Sequence, residues 1–154
     1  MKLLFLSKRR PMGKDLVASP YGRFFHLPRI LAERGHDVSI VLLDYENGAE
    51  LEFTEHGMRW ISAPMRGYIR AIRSEVVRMS PDWLIGFSDT YFGILAVQFA
   101  RKYGVRACVD AYDNYESYIA WARPLHWLWR RALRRADLLT AAGPALAELM
   151  LRGE

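Results

Sequence analysis

The sequence predicts an α/β fold: a Rossmann-like, doubly wound parallel sheet of about six strands with helices on both faces. Three observations lead there. Short, nearly all-apolar runs recur along the chain, as in LLFLS at 3–7, VSIVLL at 38–43 and DWLIGF at 82–87. Such runs suit strands buried on both sides, the environment of a parallel sheet between helical layers. Longer stretches with helical spacing follow most of them, and Gly or Pro punctuates the joins. Finally, 154 residues that are 51% hydrophobic and 13% aromatic suffice for one domain with a sizeable core, so 1–154 is read as a single domain.

The elements follow in order. After the strand at 3–7 comes a long loop, 8–21, broken by Pro11, Gly13, Ser19 and Pro20. From Gly22 the spacing of Phe24, Leu27, Ile30 and Leu31 is helical, and Arg34-Gly35 ends it with a cation and a C-cap glycine. Residues 38–43, rich in β-branched side chains, form the second strand. The stretch 44–57 reads as acidic and irregular, its HGM turn leading to a short third strand at 59–63. Ile69, Ile72, Val76 and Met79 predict a helix over 68–79, stopped by Pro81. A fourth strand at 82–87 precedes a helix at 90–103 that is apolar on most sides and closed by Gly104. A fifth strand at 105–109, a helical stretch at 114–136 interrupted at Pro124, a sixth strand at 138–141 and a last helix opened by Pro144 complete the chain.

Composition excludes several classes. The hydrophobic and aromatic content is too high for disorder or low complexity. A single cysteine, Cys108, allows neither a disulfide framework nor a cysteine-based zinc site. The first apolar run is too short for a signal peptide, and no run approaches the ~20 apolar residues of a membrane span, so a cytoplasmic chain is expected, in contact with membrane at most peripherally. The +5 net charge comes from four Lys and eighteen Arg against 17 acidic residues. These arginines gather in the first loop and in residues 121–136.

In doubly wound sheets ligands bind outside the carboxyl ends of the strands. The loops of interest are therefore 8–21, 44–57, Ser88-Asp89 and 110–115. The first loop does not carry a dinucleotide fingerprint, because Gly13 and Gly22 are nine apart. It is not a P-loop either: Lys8 stands where the first glycine belongs and Asp15 replaces the hydroxyl residue. Lys8-Arg9-Arg10 is opposite in sign to the acidic pair of a phospho-receiver. The four histidines show no metal spacing, and no serine sits in a nucleophile-elbow setting. No metal or other cofactor is expected.

What does fit is residues 20–38, PYGRFFHLPRILAERGHDV, which resemble the first helix of retaining glycosyltransferases of the GT-B fold, family 4. That helix ends in L-A-x-R/K-G-H-x-V, matched here by Leu31-Ala32-Glu33-Arg34-Gly35-His36-Asp37-Val38. PDWLIG at 81–86 is similar to the family's P-D strand, VDAYD at 109–113 to its Y-D-x-H-D strand end, and Arg135-Ala136-Asp137 to the A-D before its sixth strand. The likeness runs over nearly the whole chain, in the family's order. Two departures stand out. Tyr21-Gly22 keeps only the second of two glycines that many members have, and Tyr112 stands where many have a histidine.

The resemblance implies an acceptor-side N-terminal domain that transfers a sugar from a nucleotide-sugar, with retention, to a glycan, lipid-linked or small-molecule acceptor. The nucleotide-sugar is a substrate, held mainly by a second Rossmann-like domain with a Glu-x7-Glu motif. That domain would be supplied in cis or in trans, and the chain alone is expected to be inactive, since a cleft needs groups converging from both walls.

Within this frame Asp110 and Asp113 are the candidate catalytic carboxylates, able to orient acceptor hydroxyls or act as a base; Asp113 can equally cap the next helix. Gly22 at a helix start would let backbone N–H groups approach a phosphate or sugar. Tyr21, Arg23, Lys8, Arg9, Lys14, Ser88, Asp89 and Tyr112 complete the candidate substrate-binding set. The segment 121–136 holds three Trp, one His and five Arg in sixteen residues. It suits either a core helix with solvated arginines or a helix on an anionic membrane, with Trp121, Trp127, Trp129, Arg130, Arg131, Arg134 and Arg135 as the docking set. Family members with lipid-linked acceptors dock in this way. No nucleic-acid recognition motif accompanies the charge. The rival to the enzyme reading is a non-catalytic module that binds a partner or a membrane through residues 121–135.

Overall fold

The structure, a computed structural model, describes residues 1–118 and 121–152, with the side chains of Ser88 and Tyr118 also outside the description. The chain divides into two compact units, Met1–Asp82 and Trp83–Glu154.

The first unit runs β1 (Lys2–Lys8), a 3-10 turn (Pro11–Gly13), α1 (Gly22–Glu33), β2 (Asp37–Asp44), β3 (Leu51–Glu55), β4 (Met58–Pro64) and α2 (Met65–Met79). Its strands lie in the order β3-β4-β2-β1. The β1–β2 and β2–β4 pairs are parallel, with Leu3 opposite Val38 and Val38 opposite Met58. Leu4, Phe5, Leu6, Ile40, Leu42 and Trp60 are almost wholly buried, as continuous apolar runs in a parallel sheet should be. Tyr68 of α2 reaches over this core, and its hydroxyl donates to the Val41 carbonyl at 3.2 Å.

The segment expected to be irregular contains a strand. β3 pairs antiparallel with β4, Phe53 opposite Trp60, through a two-residue turn whose central residues, His56 and Gly57, have φ of +53° and +71°. Both central residues of such a turn need positive φ, which the His-Gly pair supplies through its glycine and one tolerant residue. β3 escapes a periodicity reading because it is an exposed edge. Only Phe53 is half-buried, stacked on Trp60 at 5.9 Å, while Glu52 and Glu55 face water and discourage further pairing.

The second unit runs β5 (Trp83–Ser88), α3 (Thr90–Tyr103), β6 (Arg106–Ala111), α4 (Tyr115–Tyr118), α5 (Arg123–Leu133), β7 (Leu138–Ala141) and α6 (Pro144–Arg152). Its strands are all parallel in the order β5-β6-β7, with Ile85 opposite Cys108 and Cys108 opposite Leu138. α3 is buried on most sides, as its composition predicts, and Gly104 ends it in the left-handed region. The predicted helical stretch is broken at residues 121–122, just before Pro124. Pro124 stands in the first turn of α5, where its missing N–H costs nothing. Residues 119 and 120 of the predicted helical stretch lie outside the described residues.

The α/β, Rossmann-like class therefore holds. Among the described residues the strands number seven rather than about six, and one of them is antiparallel.

Candidate functional site

In the first unit, the carboxyl ends of β1, β2 and β4 carry a network of charges. Arg9 Nε donates to both carboxylate oxygens of Asp15 at 3.0 Å, and Arg9 Nη1 meets Asp44 Oδ2 at 3.2 Å and Ser62 Oγ at 3.4 Å. Arg10 Nη1 donates to Asp44 Oδ1 at 2.5 Å, and Arg10 Nη2 lies 3.3 Å from Asp15. The Asp44 side chain is 1% exposed. Arg9, expected to bind substrate, thus has its donors committed to the protein; it straps the first loop to the ends of β2 and β4. The basic cluster at 8–10 and the acidic stretch from 44 are plain in the sequence, but the pairing of position 9 with 44 required the β1–β2 register.

Burial opposes ionisation of Asp44, yet the Glu46 N–H, the Arg10 bond and the charges of Arg10 and Arg9 outweigh it and hold its carboxyl below the ordinary range. Burial likewise opposes ionisation of Asp15, and its bonds from Arg9 and the Val17 N–H prevail. A carboxyl with a lower pKa folded than unfolded contributes stability above its unfolded value and loses it as pH falls through the folded one. Unfolding free energy is therefore expected to be level down to about pH 5 and to fall below about pH 4. Urea midpoints across that range check this. In Asp44→Asn/Asp15→Asn the acid-side slope should flatten.

Beyond the strap, Tyr21 and Gly22 open α1. Gly22 has φ +62°, and a Cβ there would meet no atom within 4 Å, so backbone conformation rather than crowding calls for glycine. The Tyr21 hydroxyl donates to the Pro11 carbonyl, and Lys14 Nζ lies 5.5 Å from the centre of the Tyr21 ring. Lys14, Tyr21 and Gly22 are thus brought together, with Arg23 half-buried in the first turn and Lys8 half-buried at the end of β1.

In the second unit, Tyr112, Asp113 and Asn114 follow β6 and line a hollow of about 500 Å³ with Ala142, Gly143 and Leu146. Asp113 is exposed there, its Oδ1 accepting from the Asn114 N–H at 2.9 Å. Asp110 is different. It is 2% exposed and accepts a hydrogen bond from Thr140 Oγ1, so it ties β6 to β7 beneath the surface. A carboxylate so placed is not open to an acceptor, and this corrects the expectation for Asp110. Asp89 precedes α3 in extended conformation and makes no side-chain cap. The side chain of Ser88 lies outside the described residues.

The docking set on α5 separates into two groups. Trp127, Arg131, Arg134 and Arg135 are exposed, and Trp121, which precedes the helix, is 84% exposed. Trp129 is only 5% exposed: it packs over Gly93 of α3 and its ring meets Tyr115 edge-on at 5.9 Å. Arg130 is engaged with Glu116 at 2.6 Å. Trp129 belongs to the core, while Arg130 stays partly exposed as an ion-pair partner. The helical period places 129, 132 and 133 on the inner face, leaving 127, 128 and 131 outside.

The positions that sequence reading missed are Gly86 and Gly93. A Cβ on Gly86 would lie 2.4 Å from the Phe92 carbonyl oxygen, and one on Gly93 would lie 2.7 Å from the Trp129 ring. A glycine inside an apolar strand and another inside a buried helix were the available signals, since each weakens its element unless close packing needs it.

Buried parallel strands joined by helices, with loops gathered at the strands' carboxyl ends, define a Rossmann-like α/β protein. The chain belongs to the glycosyl transferase 4-like domain family, whose model matches residues 23–153. It is thus a domain of glycosyltransferase type. None of the curated proteins matches it.

Proposed function

We propose that the chain forms the acceptor-side wall of an enzyme that moves a sugar from a nucleotide-sugar to an acceptor with retention of configuration. A donor-binding domain, joined in cis or supplied in trans, provides the other wall. The observation that carries this reading is Asp113, an exposed carboxylate at the rim of a hollow on the carboxyl ends of β6 and β7, within a domain of this family. A carboxylate there accepts a hydrogen bond from an acceptor hydroxyl and orients its oxygen for attack. Within the first unit, the first turn of α1, opened by Gly22 beside Lys14, offers N–H groups and a cation to an anion. No metal or cofactor is invoked.

The test is sugar transfer from a panel of nucleotide-sugars by the chain together with its donor-binding domain. Asp113→Ala is expected to lower kcat/KM by about a hundredfold while the thermal transition stays in place. Full activity in Asp113→Ala removes the assigned role, and no transfer or donor hydrolysis with any nucleotide-sugar removes the reading itself.

A further inference from the structure

The hollow beside Asp113 is unevenly made. Its polar side chains, Tyr112, Asp113 and Asn114, all come from the loop after β6. Ala142, Pro144, Ala145, Leu146 and Leu149, which supply the rest of the lining with Gly143, carry no polar side-chain atom. Pro144 has no N–H to offer either, so α6 starts with one donor fewer than an ordinary helix. Gly143 is the informative residue. Its carbonyl accepts the first bond of α6, from the Ala147 N–H at 3.0 Å, so it caps that helix. Asn, Asp or Ser would cap better, and nothing in the fold calls for glycine. Among the described residues Gly143 is the one glycine with neither a left-handed backbone nor an atom within 4 Å of where a Cβ would stand. What its bare Cα does is leave the hollow open.

We propose that this hollow selects the acceptor as a ring alcohol or phenol and not a glycan: the hydroxyl meets Asp113, and a compact apolar ring skeleton lies against α6. The inference rests on the reading of the chain as an acceptor-side wall. At about 500 Å³ the hollow has the size of a small-molecule site, and it shares the make-up of one, apolar walls with a few convergent polar groups. A sugar presents hydroxyls on every edge. Those turned toward α6 would give up water for carbon without a hydrogen bond in return. An apolar ring gains from the same contact in proportion to the area it buries. The length of the wall favours a ring over a long chain. From Pro144 to Leu149 it runs five residues along α6, about 7.5 Å, which seats two fused rings but only the first carbons of an acyl chain. Leu146 and Leu149, three residues apart, share that face. Tyr112, 43% exposed, adds an aromatic face on which a ring can stack.

The experiment is equilibrium dialysis of naphthol against the full chain, with methyl glucoside as the polar competitor. Naphthol is expected to bind, and a large excess of methyl glucoside to displace little of it. Gly143→Asn is expected to weaken naphthol binding about tenfold, because the amide takes up room in the hollow. Its thermal transition should stay level or rise, as a better cap requires. Leu151→Asn puts the same amide on an exposed position of α6 outside the lining and should bind as the parent does. Circular dichroism melts verify that both variants fold. Three outcomes overturn the proposal: no naphthol binding, displacement of naphthol by an equal amount of methyl glucoside, or equal affinity in the parent and Gly143→Asn. The last would leave Gly143 as a helix cap and nothing more. No donor or second domain is added, so failure here is separate from a failure of sugar transfer, which bears on the enzyme reading.

Discussion

Asp44→Ala is expected to cost about 2–3 kcal/mol of folding free energy, the order of losing charge-assisted hydrogen bonds to a buried carboxylate. The physical reason is asymmetry. Asp44 is almost fully enclosed at the end of β2 and faces two guanidinium groups, while its Oδ1 also accepts from the Glu46 N–H at 3.0 Å. Without the carboxylate, Arg9 keeps Asp15, but Arg10 is left with Asp15 and the exposed Glu46. The Glu46 N–H loses its acceptor as well. Asp44→Asn should cost less, because an amide oxygen still accepts that bond. Urea unfolding of the parent, Asp44→Asn and Asp44→Ala checks the order. An Asp44→Ala midpoint indistinguishable from the parent's would show that the strap contributes nothing to stability.

Gly86→Ala is expected to destabilise by about 3 kcal/mol, at the upper end of overpacking costs. The added methyl would sit 2.4 Å from the Phe92 carbonyl oxygen and 2.6 Å from the Gly93 Cα, both backbone atoms of α3. Backbone cannot rotate away as a side chain can, so α3 must lift from β5, opening a core that includes Leu84, Phe92 and Ala96. Gly93→Ala is the informative companion. Its methyl would press on the Trp129 ring at 2.7 Å and Val109 Cγ1 at 3.0 Å, but alanine regains about 1 kcal/mol of helix propensity. A net loss nearer 1 kcal/mol is expected. If Gly86→Ala melts with the parent, or Gly93→Ala melts far below it, the packing account of this unit is wrong.

The parallel strands were legible because burial on both faces leaves an unbroken apolar run, as in residues 3–6 and 40–43. β3 was not, since an edge strand with one half-buried side chain leaves almost no pattern. On α5 the mixture of Trp and Arg was plain in the sequence, but neighbours in sequence take opposite roles. Trp127 meets solvent and Trp129 the core, because two residues on a helix lie on different faces. The candidate site divides in the same way. Asp113 is exposed at the rim of a hollow, whereas Asp110, three residues earlier, is inside β6.

The sequence by itself determined the α/β class and the family. Hydrophobic periodicity and short motifs are local properties, and local chemistry is what a single chain displays. Only the tertiary structure decided which charges meet. The register of β1 on β2 brings Arg9 to Asp44, thirty-five residues away, and turns an expected ligand contact into a strap. The packing of α5 on α3 brings Arg101 to Arg131 and Arg135 around one groove. Electrostatic roles depend on distance through space, and no spacing along the chain reports that.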